Sequence, residues 1–151
     1  MTLQCIGENS SEESVANFIK ETRGLFSGKR LLLVEDMSMN REIVNALLKE
    51  TGIYIDEAEN GLEAFVMIKA YPERYSLVFM DLEMPEMGGI EATQQIRALP
   101  SESTKKLPII AMTGNTSDED IEKCHIAGMD GHLSKPLDAD KVLLFMKRYL
   151  C

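Results

Sequence analysis

Asp81 closes an apolar run: Leu77-Val78-Phe79-Met80 precedes it and Leu82-Glu83-Met84-Pro85 follows. A carboxylate therefore stands where a buried strand should spill into a loop. Glu35-Asp36 closes Leu31-Leu32-Leu33-Val34 in the same way, Thr113 closes Ile109-Ile110-Ala111-Met112, and Lys135-Pro136 follows His132-Leu133-Ser134. Ligands of open parallel sheets bind outside the carboxyl ends of the strands. Acids, a hydroxyl and an ammonium would then share one crevice. Three unpaired carboxylates at one sheet end repel and raise one another's pKa. Oxygen ligands with no His or Cys beside them suit a hard cation, and a small, partly hydrated set suits Mg²⁺ better than Ca²⁺. With the cluster screened, one carboxylate can attack phosphorus and become an aspartyl phosphate. Lys135 can pair with a phosphoryl oxygen as a point charge and the Thr113 hydroxyl can donate to another, stabilising charge on the transferring group.

The elements that must position these residues follow from hydrophobic periodicity. Strand-like runs fall near 30–34, 53–58, 77–80, 109–112 and 131–134, with helical spacing of apolar residues between them: Met39, Ile43, Leu47; Leu62, Phe65, Val66; Ile90 and Ile96 with Ala92; Ile121 and Cys124; Val142, Phe145, Met146 and Tyr149. Strands that alternate with helices pair in parallel through right-handed crossovers. The first, third and fourth runs are almost wholly apolar, as in strands covered on both faces, whereas Ile53-Tyr54-Ile55-Asp56 alternates and belongs at an edge. The expected fold is α/β, a flavodoxin-like doubly wound sheet of five parallel strands in the order 2-1-3-4-5 with five helices.

The 151 residues, 44% hydrophobic and 27% charged, suffice for one core and not for two comfortable domains. The pattern divides the chain at about Gly28. Residues 1–28 read as an extension or linker with a short amphipathic helix over 11–23, opened by the capping pattern Ser10-Ser11-Glu12-Glu13 and striped by Val15, Phe18, Ile19 and then Thr22 and Phe26. Residues 29–151 hold the main domain. A net charge of −9 argues against nonspecific nucleic-acid binding, which needs a basic face. Cys5, Cys124 and Cys151 are odd in number and scattered, which favours reduced thiols over disulfides or zinc. No apolar run reaches membrane-spanning length and the N-terminus lacks a signal-peptide pattern, so the expected location is cytoplasmic. His125 and His132 have no partners at metal-ligand spacing, and the methionines read as core and loop anchors.

Taken in order, the acidic pair Glu35-Asp36, Asp81 with Met84-Pro85, Thr113 and Lys135-Pro136 resemble the receiver domain of two-component response regulators over residues 29 to 150. Each motif alone is weak; all of them in order at strand ends form a specific signature. The resemblance implies that Asp81 accepts a phosphoryl group from a phosphohistidine. It implies that Asp36 and Asp81 ligate Mg²⁺, with Glu35 acting mostly through water and the Glu83 carbonyl as a further ligand. It implies that Thr113 and Lys135 hold the phosphoryl group, with a cis bond before Pro136, which X-Pro bonds permit at small cost.

Val34-Glu35-Asp36 with Asn40-Arg41-Glu42-Ile43, Gly89-Ile90-Glu91-Ala92, and Gly131-His132-Leu133-Ser134-Lys135-Pro136 look like receivers carried at the C-terminal end of hybrid sensor histidine kinases. The partner implied is a histidine kinase or histidine phosphotransfer domain, met by a monomer or weak dimer with no direct contact to nucleic acid or membrane. The expected role is signalling by self-catalysed phosphotransfer and autodephosphorylation, from a hybrid kinase or a stand-alone regulator, with no DNA-binding output expected after Tyr149. Gly88, Gly114 and His132 depart from the family pattern, which favours Asp, Ala and an aromatic residue at those places. His132 is then the candidate switch residue, while Glu83 and Asn115, two residues beyond Asp81 and Thr113, are candidates for tuning phosphoryl lifetime. Two other readings compete: a haloacid-dehalogenase-type phosphatase, for which Glu83 superficially supplies the second acid, and a pseudo-receiver that keeps the fold without phosphorylation.

Overall fold

The computed structural model describes residues 22–151; the extension helix expected over 11–23 lies outside them except for its end. Five strands, β1 (Arg30–Val34), β2 (Tyr54–Ala58), β3 (Leu77–Asp81), β4 (Ile109–Thr113) and β5 (Gly131–Ser134), form one parallel sheet in the order β2-β1-β3-β4-β5. Across residues 29–151 the helices are α1 (Ser38–Leu48), α2 (Gly61–Ala70), α3 (Gly89–Arg97), α4 (Glu102–Lys106), α5 (Asp118–Ala127) and α6 (Ala139–Leu150), with a 3-10 turn at Lys49–Thr51.

Because side chains alternate along a strand, each central strand feeds two cores. Leu32, Val34, Val78, Met80, Ile109 and Ala111 face Ala64 and Ile68 of α2, Ala92 and Ile96 of α3 and Cys124 of α5. Leu31, Leu33, Leu77, Phe79, Ile110 and Met112 face Val44 and Leu48 of α1 and Val142, Met146 and Leu150 of α6. Burial on both faces explains the unbroken apolar runs of β1, β3 and β4. β2 lies at an edge, as its alternation requires, and its side chains other than Ala58 stay partly or wholly exposed.

Two features differ from the sequence pattern. A sixth helix, α4, stands where five were expected. Its residues, Glu-Ser-Thr-Lys-Lys, carry no apolar stripe, so periodicity is blind to it; local polar bonds define it instead. Ser101 Oγ accepts from the Ser103 amide at 3.2 Å and Thr104 Oγ1 donates to the Ser101 carbonyl at 2.9 Å. Arg97 then ties it down, donating to the carbonyls of Thr104 at 2.8 Å and Gly128 at 2.8 Å. The second feature lies upstream of residue 29. Phe26 is wholly buried in the core shared with α1 and α6, and its amide donates to the Thr51 carbonyl at 2.9 Å. Residues 22–28 are thus seated on the domain. Gly52, at φ 80°, turns the chain beneath them where a Cβ would collide with Ser27.

Strand register sets up the site. Val34 pairs with Met80, so Glu35 and Asp81 come next, side by side. Asp81 pairs with Met112, and Thr113, the following residue, pairs with Ser134, which is followed by Lys135. The four strand ends converge without any adjustment in the loops.

Candidate functional site

Glu35, Asp36, Met37, Asp81, Leu82, Glu83, Thr113, Gly114, Asn115 and Lys135 line an open cleft of about 350 Å³ at the carboxyl edge of the sheet. Its floor is acidic and buried: Glu35 is 1% exposed and Asp81 4%, while Asp36 is exposed at the rim. Lys135 Nζ reaches both buried acids, at 3.0 Å from Glu35 Oε2 and 3.2 Å from Asp81 Oδ2. The peptide bond from Lys135 to Pro136 is cis.

Glu35 is held at every side. Its Oε1 accepts from the Met37 amide at 3.2 Å and from Asn40 Nδ2 at 3.3 Å, while Oε2 takes the lysine. Burial disfavours its charge, yet these hydrogen bonds outweigh burial and its pKa is lowered. Asp81 has fewer partners: the lysine and the Glu83 amide, which donates to Oδ1 at 3.3 Å. Burial, and then the neighbouring Glu35 charge, push the Asp81 pKa up to about 6. Burial also disfavours the Lys135 ammonium, but Glu35 and Asp81 prevail and its pKa is raised. The cleft therefore holds two inequivalent carboxylates, one firmly ionised and one under electrostatic stress.

One carboxylate oxygen from each of Glu35, Asp36 and Asp81 lies within 4.8 Å of the others. This all-oxygen set, two members buried and one facing solvent, fits a hard, partly hydrated divalent cation. Glu83 is exposed, and its side chain has no hydrogen bond or ion pair among the described residues.

Thr113 stands at the cleft, but its hydroxyl is engaged in its own turn, donating to the Asn115 carbonyl at 2.9 Å and accepting from the Asn115 amide at 3.0 Å. The Asn115 side chain accepts from the Ser117 amide at 3.1 Å. Gly114 leaves this wall low, since a Cβ there would meet nothing within 4 Å. His132 sits half buried on edge strand β5 opposite Ala111 and does not line the cleft.

Two supports carried no assigned role from sequence alone. Gly89 begins α3 so close to β3 that a Cβ would strike the Asp81 carbonyl, and only glycine permits that approach. Arg41 donates from Nη1 to the Glu35 carbonyl at 2.7 Å. Its signal in the sequence was its position in the Asn40-Arg41-Glu42-Ile43 stretch, which suggested kinship without a chemical role.

Comparison with known proteins fits this geometry. The family model described as the response regulator receiver domain matches residues 31–147. The chain belongs to that family. Receivers similar to it include part of hybrid signal transduction histidine kinase B from Dictyostelium discoideum, 39% identical over 132 residues that cover 81% of this chain and 7% of that protein. The receiver domain of sensor histidine kinase PA1611 from Pseudomonas aeruginosa, solved with a magnesium ion coordinated in its active-site cleft, is 32% identical with a TM-score of 0.73, covering 82% of this chain and 98% of that one. The receiver domain of Saccharomyces cerevisiae Ssk1, solved with the histidine phosphotransfer protein Ypd1, is 30% identical with a TM-score of 0.75 over 83% of this chain and 91% of the other. The chain spans 14% of the length of Arabidopsis thaliana histidine kinase 3, another relative that it matches. As a receiver domain, it is a signalling phosphoacceptor module. Among the described residues, no helix is long and apolar enough to cross a membrane.

Proposed function

We propose that Asp81 is the phosphoacceptor and takes a phosphoryl group from a phosphohistidine. The observation that carries this reading is the Lys135 ammonium between Glu35 and Asp81, 3.0 and 3.2 Å away, on the floor of an open cleft. Glu35 keeps its charge through three donors of its own, which leaves Asp81, with a single contact on each oxygen, as the less firmly held of the two buried acids. An Asp81 carboxylate oxygen forms a bond to phosphorus as the phosphorus–nitrogen bond of the donor breaks, its electron pair returning to the imidazole. Lys135 pairs with a phosphoryl oxygen, and the Thr113 hydroxyl, once released from Asn115, donates to another.

Asp36, Asp81 and the Glu83 carbonyl would hold Mg²⁺, with Glu35 acting mostly through water. When bound, the cation neutralises the acidic floor and the charge of the incoming phosphoryl oxygens. The same cleft admits water, so slow autodephosphorylation belongs to this reading. The donor is a histidine kinase or a histidine phosphotransfer domain, a choice supported by the Ssk1–Ypd1 pairing in a relative. The chain would serve at the cytoplasmic side as one module of a hybrid kinase or as a stand-alone regulator, a monomer or weak dimer, with residues 29–151 as its receiver.

The dehalogenase-type reading is disfavoured because Asp81 ends the third strand in chain order, whereas that chemistry places the nucleophile on the first. The pseudo-receiver reading is disfavoured because the full set of acid, hydroxyl and lysine lines one cleft. Acetyl phosphate with Mg²⁺, followed by intact-mass measurement, separates all three. One stable added phosphoryl group that Asp81→Asn removes is expected; steady turnover without adduct indicates a phosphatase, and neither indicates a binding module.

A further inference from the structure

Arg41 grips the backbone of the acidic pair rather than its carboxylates. The carbonyl that accepts from Nη1 at 2.7 Å belongs to the peptide group joining Glu35 to Asp36. The guanidinium is itself anchored: Nε lies 3.4 Å from Glu57 Oε1 and Nη2 lies 3.7 Å from Glu59 Oε1, with the Arg41 side chain 13% exposed. Asn45, one turn along α1, donates from Nδ2 to the Arg41 carbonyl at 2.8 Å and to Glu57 Oε2 at 2.7 Å. A chain of polar contacts therefore runs from α1 and the end of β2 to one peptide plane.

That plane matters because of what Asp36 lacks. The Glu35 carboxylate is fixed by Met37, Asn40 and Lys135, and the Glu35 amide by the Ala58 carbonyl at 3.0 Å. Asp36 is exposed, and among the described residues no hydrogen bond or ion pair holds its carboxylate. The direction in which Asp36 leaves the chain is set by the peptide before it, which is planar and turns as a unit. The atom of that peptide held by a side chain is the oxygen bonded to Arg41.

We propose that Arg41 is a positioning residue for the cation site: by fixing the Glu35–Asp36 peptide it aims the Asp36 carboxylate at the divalent cation, while Glu57 and Glu59 offset its charge. This inference rests on the Mg²⁺ reading above. An Arg→Lys change at such a site is not conservative, because one ammonium cannot span a carbonyl and two glutamates as a planar fork does.

Charge and geometry predict opposite results, so the test is one of sign. A cation beside an acidic site weakens cation binding through space. If charge were all that mattered, Arg41→Ala would bind Mg²⁺ more tightly and Arg41→Lys would bind it unchanged. Positioning predicts that both variants bind more weakly, by about ten-fold for Ala, the range seen when support behind a metal ligand is lost. Mg²⁺ affinity is read by amide NMR titration of the full chain, and melting in chelator reports whether each variant is folded. Labelling by acetyl phosphate should be slowed at low Mg²⁺ and recover at saturating Mg²⁺. Equal or tighter Mg²⁺ binding by folded Arg41→Ala, or unchanged binding by Arg41→Lys, overturns the proposal. If Arg41→Ala does not fold, Arg41→Lys decides alone. A wild-type chain that binds no Mg²⁺ overturns the site reading itself, a result distinct from either variant outcome.

Discussion

Thr113 and Asn115 are locked to each other: the Thr113 hydroxyl donates to the Asn115 carbonyl at 2.9 Å and accepts from the Asn115 amide at 3.0 Å. The hydroxyl proposed to reach the phosphoryl group is thus already satisfied within its own turn. Under the proposed function, phosphorylation would exchange the bond to the Asn115 carbonyl for one to a phosphoryl oxygen and so loosen the start of the loop leading into α5. A bound anion selects the arrangement that interacts with it more favourably.

The first prediction follows from that exchange. With Mg²⁺ and a phosphoryl mimic such as beryllofluoride, the amide of Asn115 and those of α5 should shift in NMR spectra, and His132 on neighbouring β5 should report the change through its ring resonances. Thr113→Ala should still be labelled on Asp81 but should lose most of the α5 shifts. A full α5 response in Thr113→Ala would show that this hydroxyl does not couple the site to the helix.

The second prediction concerns acid and stability without metal. The folded state holds the Asp81 proton up to about pH 6, against an ordinary value of 3.8, first through burial and then through the Glu35 charge. A carboxyl whose folded pKa is raised costs stability once it ionises. The cost is absent below the unfolded pKa, grows as pH rises from about 4 to 6, and is complete above that. A shift of about two pKa units corresponds to an upper figure of roughly 3 kcal/mol, shared with the coupled Glu35. In chelator, stability should therefore rise as pH is lowered from 7 to 5. It should fall again in stronger acid, where Glu35, whose pKa is lowered, loses the charge that its partners favour. Asp81→Asn should melt higher than wild type at pH 7 in chelator and lack the gain between pH 7 and 5, whereas Asp36→Asn, being exposed, should change less. Mg²⁺ should stabilise the wild type by linkage. A flat wild-type profile between pH 7 and 5 would mean that Asp81 is not under stress.

How much of this was readable without coordinates depends on the range of the interaction. The runs ending in Glu35, Asp81, Thr113 and Lys135 foretold both the sheet and the convergence, because parallel register carries strand ends to one edge and burial writes itself as apolar residues. The short helix α4 stayed hidden because side chain to backbone bonds from Ser101 and Thr104 define it, and those leave no period in the sequence. Phe26 in the core was obscured by its place in a stripe that the sequence pattern assigned to an extension. The Arg41 contact was unreadable for a different reason: its acceptor is a backbone carbonyl, which every residue possesses, so no residue type marks it. The inequality between Glu35 and Asp81 likewise depends on which acid collects the Met37 and Asn40 donors, a matter of loop geometry.

The third prediction is the lifetime of the aspartyl phosphate. The Glu83 amide donates to Asp81 Oδ1 at 3.3 Å, so its backbone is tied to the proposed acceptor while its side chain remains exposed at the cleft wall. Hydrolysis needs a water in line with the bond to be broken, and that water must pass the faces bordered by Glu83 and Asn115. A free carboxylate there adds negative charge beside an anionic centre and competes to orient the water. The backbone carbonyl is the expected metal ligand, so exchange of the side chain should leave Mg²⁺ affinity nearly intact. Glu83→Asn and Glu83→Lys should therefore change the dephosphorylation rate several-fold, measured by following loss of the phosphorylated mass after the donor is removed, with little change in Mg²⁺ titration. Gly114, where the wall is low, offers the control: Gly114→Ala narrows the same approach without adding charge, so it should slow hydrolysis through access alone. Loss of Mg²⁺ binding in Glu83→Asn would instead make the Glu83 carboxylate a ligand, and the cation would then sit nearer the rim than the Glu35, Asp36 and Asp81 oxygens imply.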